Sequence, residues 1–107
     1  MWEGKVSEMK VTIFTPTYNR EKYIHNLFDS LCKQTVLPYE WIIVDQGNDG
    51  TAELAKKFMD IAAFPVRYKK IEGERGIGRA LNLMIECAQG DLIMKVDDDD
   101  TLTEDAI

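Results

Sequence analysis

The stretch Leu92-Ile93-Met94-Lys95-Val96 runs straight into Asp97-Asp98-Asp99-Asp100. Its first part is strand-length and mostly apolar, so it reads as a buried β-strand. Its second part puts four like charges at that strand's tip, where they repel one another unless something cationic offsets them. Carboxylate oxygens suit a hard divalent cation such as Mg²⁺ or Mn²⁺. A solvated acidic turn is the plainer alternative. The strand leading into the run favours a metal or catalytic role.

Working back from that strand, Gly90 stops a helix whose apolar set is Ile77, Ala80, Leu81, Met84, Ile85 and Ala88. The loop Glu72–Gly76 opens that helix. Before it, Val66–Ile71 alternates like an edge or half-exposed strand. A helix from Thr51 to about Ala63 turns Leu54, Ala55, Phe58 and Ile61 inward, behind the strand Trp41–Val44 and the polar loop Asp45–Gly50. Tyr23, Ile24, Leu27, Phe28 and Leu31 mark a first helix, which Asn19 is placed to cap. The strand Val11–Thr15 precedes it and should end at Pro16, because proline cannot donate to a central ladder.

The order is βαβαβαβ, which predicts an α/β fold: a mostly parallel sheet with helices on both faces. In such sheets ligands bind beyond the carboxyl ends of the strands. Thr15-Pro16-Thr17-Tyr18, Asp45-Gln46 and the aspartate run all fall there, so three loops should converge on one crevice. Residues 1–9 read as a loose arm and 10–107 as one domain. Thr103, Glu104 and Asp105 look like the start of another helix. The chain stops at Ile107, as a truncated first half of an enzyme would.

Composition narrows the partners. Formal charge is −6, and six of the nineteen acidic residues lie between Asp97 and Asp105, leaving thirteen acidic against thirteen basic elsewhere. The excess charge belongs to one site, and the lack of a basic field argues against nucleic acid. No stretch approaches the roughly 20 apolar residues of a membrane span, and no signal pattern opens the chain. Cys32 and Cys87 sit in helical patterns without CxxC spacing and read as buried free thiols of a reducing, cytoplasmic compartment. Peripheral membrane attachment of a longer protein stays open. His25, beside Asn26 and Asp29, reads as solvent-facing. Lys95 either pairs with a carboxylate or snorkels at an edge.

Five motifs in order resemble those of a family 2 glycosyltransferase with the GT-A fold. They are Phe14 through Arg20 (an apolar strand, then P-T-Y-N-R) and Ser30 through Thr35 (S-L-x-x-Q-T). Val44 through Thr51 is similar to V-D-D-G-S-x-D-G-T with one residue fewer. Gly76–Asn82 with Ala88–Asp91 resembles the helix before the metal-binding strand, and Asp97-Asp98-Asp99 stands at the D-x-D. The resemblance covers the chain from Val11 onward and implies a Rossmann-like, nucleotide-binding half of a GT-A domain.

That resemblance implies inverting sugar transfer from a nucleotide diphosphate donor, with UDP-sugar favoured. A bound Mn²⁺ or Mg²⁺ neutralises the leaving pyrophosphate. It implies Asp99 as a direct metal ligand, Asp97 as a metal or ribose contact and Asp98 with Asp97 among the nucleotide-binding residues, with Asp98 and Asp100 otherwise behind the ligands or solvated. Tyr18 would pack on the base while the backbone at Pro16 and Thr17 contacts it; Asp45 and Gln46 would face base and ribose. Gln46 stands where the family has a second aspartate, and an amide can both accept and donate. Arg75 and Arg79 flank glycines at a helix start, a place for diphosphate oxygens or plain surface charge. The family's general base lies downstream of the D-x-D, outside these residues. The expected activity is therefore donor binding, with a glycan, lipid or protein acceptor unassigned.

Three rivals deserve weight. Asp97-x-Asp99-x-Thr101 also resembles the D-x-D-x-T of haloacid dehalogenase-type phosphatases, with Asp97 as nucleophile and Asp99 as acid–base. There the motif follows the first strand, whereas here three βα units precede it. Gly73-x-x-Gly76-x-Gly78 hints at a dinucleotide-binding oxidoreductase but follows the third strand, with no acidic ribose partner at the usual spacing. A nucleotide-sugar-binding module without turnover is the non-enzymatic alternative.

Overall fold

In the computed structural model, which describes residues 10–72 and 76–102, strands and helices alternate. The elements are β1 (Val11–Thr17), α1 (Glu21–Cys32), β2 (Glu40–Asp45), α2 (Thr51–Ile61), β3 (Val66–Lys70), α3 (Ile77–Cys87) and β4 (Leu92–Lys95). The expected arm over residues 1–9, Arg75 and the cap at Thr103 lie outside the described residues.

All strand pairs are parallel, in the order β3-β2-β1-β4. The chain steps outward from β1 to β3, then α3 carries it back to the other side of β1. That reversal creates a switch point at the carboxyl end of β1, where such sheets open a crevice.

Strand alternation builds a core on each face. On one, Ile13, Trp41 and Ile43 meet Ile24, Leu27, Phe28 and Leu31 of α1 and Ala55 and Phe58 of α2. Phe28 and Phe58 stack with centroids 4.1 Å apart, and Trp41 lies against both. Truncating Phe28 to alanine would cost about 3–5 kcal/mol. On the other face, Phe14, Ile42 and Val44 meet Ala80 and Met84 of α3. Helices therefore cover both faces, as the alternating pattern predicts.

Several local expectations change. Pro16 does not end β1, which runs to Thr17 and pairs Pro16 with Val44. Parallel ladders send alternate residues to opposite neighbours: Thr17 O accepts from Gln46 N on the β2 side, whereas Phe14 O accepts from Val96 N on the β4 side. The N–H that Pro16 lacks would point to the β4 side, beyond that strand's last pairing at Phe14 and Lys95.

Asn19 does not cap α1. It adopts φ 54°, and its Oδ1 accepts from Asn48 N at 2.7 Å. The cap comes from another loop: Asp49 Oδ2 accepts from Glu21 N at 2.9 Å, and Glu21 Oε1 accepts from Gly50 N at 3.0 Å. The loops after β1 and β2 are thus locked together.

β4 is not buried. It pairs with β1 alone among the described residues, and α3 packs over β1 and β2, so Leu92 and Ile93 are exposed. Lys95 accordingly sits at an edge and pairs with Asp97 at 2.8 Å. Tyr23, Ile61 and Ile85 lie at the margins of their helical stripes and are also exposed. Cys32 is exposed rather than buried, and Cys87 is half-buried. β3 is an edge strand of half-buried residues, in keeping with its alternating sequence.

Candidate functional site

At the switch point, a cleft of about 420 Å³ is lined by Pro16, Thr17, Tyr18 and Arg20 after β1, Gln46 after β2, Gly76 before α3, and Asp97, Asp98 and Asp99 after β4. Residues 81 positions apart are held together at its floor by one bond. Thr17 Oγ1 donates to Asp98 Oδ2 at 2.8 Å, and both residues are buried.

Asp98 is the inward member of the acidic run. Burial pushes its carboxyl above the usual range; the Thr17 hydrogen bond and the Arg20 charge pull it down, and Asp99 and Asp97 push it up again. Arg20 Nε lies 3.2 Å from Asp98 Oδ1, close enough for charge but not aligned for a hydrogen bond. Its Nη2 donates to Asp99 Oδ2 at 2.9 Å. The guanidinium also lies over the Tyr23 ring, 4.9 Å from its centroid.

The outward members are Asp97, Asp99 and Asp100. Each offers a carboxylate oxygen, and these lie within 4.8 Å of one another on the exposed side. A turn holds them: Asp100 N donates to Asp97 O at 3.1 Å. An all-oxygen carboxylate set open to water fits Mg²⁺ or Mn²⁺, which retain waters and accept substrate phosphates as further ligands. Arg20 and Lys95 supply counter-charge to Asp99 and Asp97.

At the other end, Tyr18 is exposed at the lip of the cleft. Gln46 lies beside it, because Gln46 N donates to Thr17 O at 2.9 Å. Its side-chain Oε1 accepts from Gly76 N at 2.7 Å, joining the approach to α3 to the cleft wall.

Asp45 is placed differently from these residues. It is 1% exposed and does not line the cleft. Its carboxylate accepts from Gly47 N at 2.9 Å and Tyr68 Oη at 2.6 Å, with Lys70 Nζ at 3.9 Å. Burial and that bond push the Tyr68 hydroxyl well above its ordinary pKa. Lys70 also donates to Gly47 O, so Asp45 anchors the loop behind the cleft. Arg79 lines a separate depression with Lys70, Glu72 and Glu86. Arg75 lies outside the described residues.

Sequence gives Arg20 no role and places Asp100 only behind the ligands or in solvent. Arg20 ends the P-T-Y-N-R run, and a cation directly after β1 is a natural partner for carboxylates after the neighbouring β4. Asp100 joins Asp97 and Asp99 through the turn, a D-x-x-D relation that strand alternation does not show.

The switch-point cleft, with carboxylates after β4 and an aromatic and an amide after β1 and β2, sits on a parallel α/β sheet that matches the Rossmann-like half of the GT-A fold. The sequence pattern of glycosyl transferase family 2 matches residues 12–107, and the chain belongs to that family. It is similar to the uncharacterized glycosyltransferase YwdF of Bacillus subtilis strain 168, with 34% identity over 89% of this chain and 34% of that protein. Staphylococcus aureus TarS 1-349 in complex with UDP superposes with TM-score 0.80 and 31% identity, over 91% of this chain and 29% of that one. The mannosyltransferase PcManGT from Pyrobaculum calidifontis, in complex with GDP-Man and Mn²⁺, gives 0.79 and 26%, over 87% and 28%. The chain thus spans about a third or less of the length of these relatives. No helix among the described residues is long and apolar enough to cross a membrane.

Proposed function

We propose that this chain is the donor-binding part of a glycosyltransferase that takes a sugar from a nucleotide diphosphate, with a divalent cation held by the acidic run. The observation that carries the reading is the three-carboxylate group of Asp97, Asp99 and Asp100 at one end of the cleft that Tyr18 and Gln46 line at the other. Strand order sets Gln46, after β2, and the acidic run, after β4, on opposite sides of β1, so one cleft can take a diphosphate at the cation and a base at the aromatic. The UDP, UDP-GlcNAc and GDP-Man complexes of the solved relatives support a nucleotide-sugar donor, and Mn²⁺ in PcManGT supports the cation.

In this reading Asp99 and Asp97 ligate the cation, with Asp100 completing the set. Bound there, the cation would act as a Lewis acid on the departing diphosphate. Asp98 is committed to Thr17 and Arg20, holding the run in register. The Tyr18 ring offers a stacking face to the base, and the backbone at Pro16 and Thr17 borders it. Asp45 contributes by shaping the loop that carries Gln46. Arg75, and Arg79 from its neighbouring depression, are kept as candidate diphosphate contacts.

Inverting transfer needs a base for the acceptor hydroxyl. The carboxylates of the cleft are assigned to the cation and to Arg20, so the 107-residue chain is expected to bind donor and transfer little sugar. A thermal-shift panel of UDP, GDP and dTDP with Mn²⁺ tests the reading. A rise in Tm with at least one of them is expected, and no shift with any contradicts it.

A further inference from the structure

The connections at the amino ends of the strands leave apolar side chains in the open. Val36, Leu37 and Tyr39 are all exposed between α1 and β2, a cluster rather than the single scattered apolar residues expected of a surface. With Phe64, buried just before β3, they wall a groove of about 440 Å³ whose polar end is made by Glu40, Arg67 and Lys10. That is the size of a small-molecule site. These residues precede or open their strands in a parallel sheet, so the groove lies at the opposite end from the cleft and shares no residue with it. The six residues of β2 set the two about 20 Å apart.

The polar end is a half-used guanidinium. Glu40 is buried and both its oxygens are occupied: Oε1 accepts from Arg67 Nη1 at 2.9 Å, and Oε2 from Thr12 Oγ1 at 2.7 Å and Gln89 N at 2.6 Å. Arg67 Nη1 also donates to Cys87 O at 2.6 Å, which uses both of its hydrogens. Nε and Nη2 meet no acceptor among the described residues, and neither is sealed from water. Together they form an edge that can grip a carboxylate with two parallel hydrogen bonds. Lys10 Nζ adds a second cation, 5.1 Å from the centroid of the Tyr39 ring. Glu40 offers an incoming ligand no free acceptor, so the open chemistry at this end is cationic.

We propose that this groove binds a small carboxylate with an aryl or alkyl body, its head on the open edge of Arg67 and its body between Leu37, Tyr39 and Phe64. Charge complementarity selects that occupant: apolar walls take the body, and the donors left open beside them are cationic. Glu40 and Cys87 O already hold the guanidinium in place, so little side-chain freedom is lost when the head arrives. The site stands apart from the donor-binding reading and does not depend on it.

The test is an amide-resolved NMR titration of the 107-residue chain with three probes. These are phenylbutyrate, phenylbutanol, which keeps the body without the charge, and acetate, which keeps the head alone. Phenylbutyrate should move the amides of Tyr39, Arg67 and Gln89 saturably, leave those of Tyr18 and Asp99 in place, and bind about tenfold more tightly than either analogue. Arg67→Lys keeps a charge beside Glu40 and removes the fork, so it should weaken phenylbutyrate about fivefold and leave phenylbutanol unchanged. Leu37→Asn, on an exposed wall, should weaken both by a similar factor. Circular dichroism reports folding; should Arg67→Lys fail to fold, the three-probe comparison and Leu37→Asn carry the test. No saturable shift at the groove, either analogue binding as tightly as phenylbutyrate, or an affinity unmoved in folded Arg67→Lys or in Leu37→Asn overturns the proposal. Each of these outcomes leaves the donor-binding reading untouched, since nucleotide titration tests that reading separately.

Discussion

Thr17 and Asp98, 81 residues apart, share a buried hydrogen bond of 2.8 Å between the ends of β1 and β4. It joins the Gln46 side of the cleft to the aspartate run, since Thr17 also receives Gln46 N at its carbonyl. Asp98 is thereby held inward while Asp97, Asp99 and Asp100 turn out.

Thr17→Val keeps the β-branched shape and removes the donor. Asp98 then loses a partner in a buried setting, which should destabilise the fold by about 1–3 kcal/mol. Urea unfolding at neutral pH measures the loss. An unchanged midpoint would mean that the bond holds nothing in place.

Arg20 pairs with Asp98 and Asp99 in the folded state. Arg20→Met should destabilise that state by about 1 kcal/mol, a modest figure because the side chain is partly exposed. Mn²⁺ restores the missing positive charge, so it should raise the Tm of Arg20→Met more than that of the wild type. Equal Mn²⁺ shifts in both proteins would separate Arg20 from the cation site.

The loop lock makes a steric prediction. A β-carbon at Gly47 would run into the backbone N of Asn19, at 2.5 Å, in the segment already held at positive φ. Backbone cannot yield as a flexible side chain can, so Gly47→Ala should cost about 1–3 kcal/mol. It should also weaken nucleotide binding, because Tyr18 and Gln46 lie on the two loops that part. Differential scanning calorimetry and a UDP titration read the two effects.

Acid sensitivity should come partly from the far end of the sheet. Burial pushes the Glu40 carboxyl up, but hydrogen bonds from Gln89 N, Thr12 and Arg67, with the Arg67 charge, outweigh it and hold the pKa below 4.5. Glu40 therefore contributes stability that is present above pH 4.5 and lost as pH falls through the lower folded value. Asp98, shifted upward, has the opposite sign: its contribution is complete below 3.8 and lost as pH rises through its folded value. Glu40→Gln should lower stability at pH 7 by about 2–4 kcal/mol and flatten its decline below pH 4.5. Urea unfolding across pH 3 to 7 checks both, and a decline as steep as in the wild type would assign the acid loss elsewhere.

The fold was legible because each element states its period: the β-branched and apolar runs at Val11–Thr15 and Trp41–Val44, and the three helical stripes between strands. The crevice followed from the parallel order, since chemistry-bearing residues cluster after β1, β2 and β4. What sequence did not show was pairwise geometry. Nothing local to Asp45 reveals that Tyr68 and Gly47 consume its carboxylate. Nothing in Asn19 or Asp49 alone shows that the second caps the helix the first precedes. The exposure of β4 depends on where α3 lands, a tertiary fact that its apolar sequence contradicts.

The nucleotide site proposed at the end of β4 depends on a divalent cation. Calorimetric titration of UDP into the chain with Mn²⁺, repeated with chelator and with Asp99→Ala, tests it most directly. Binding should be measurable with Mn²⁺ and weakened at least about tenfold by chelator and by Asp99→Ala. Equal UDP binding in all three would contradict it.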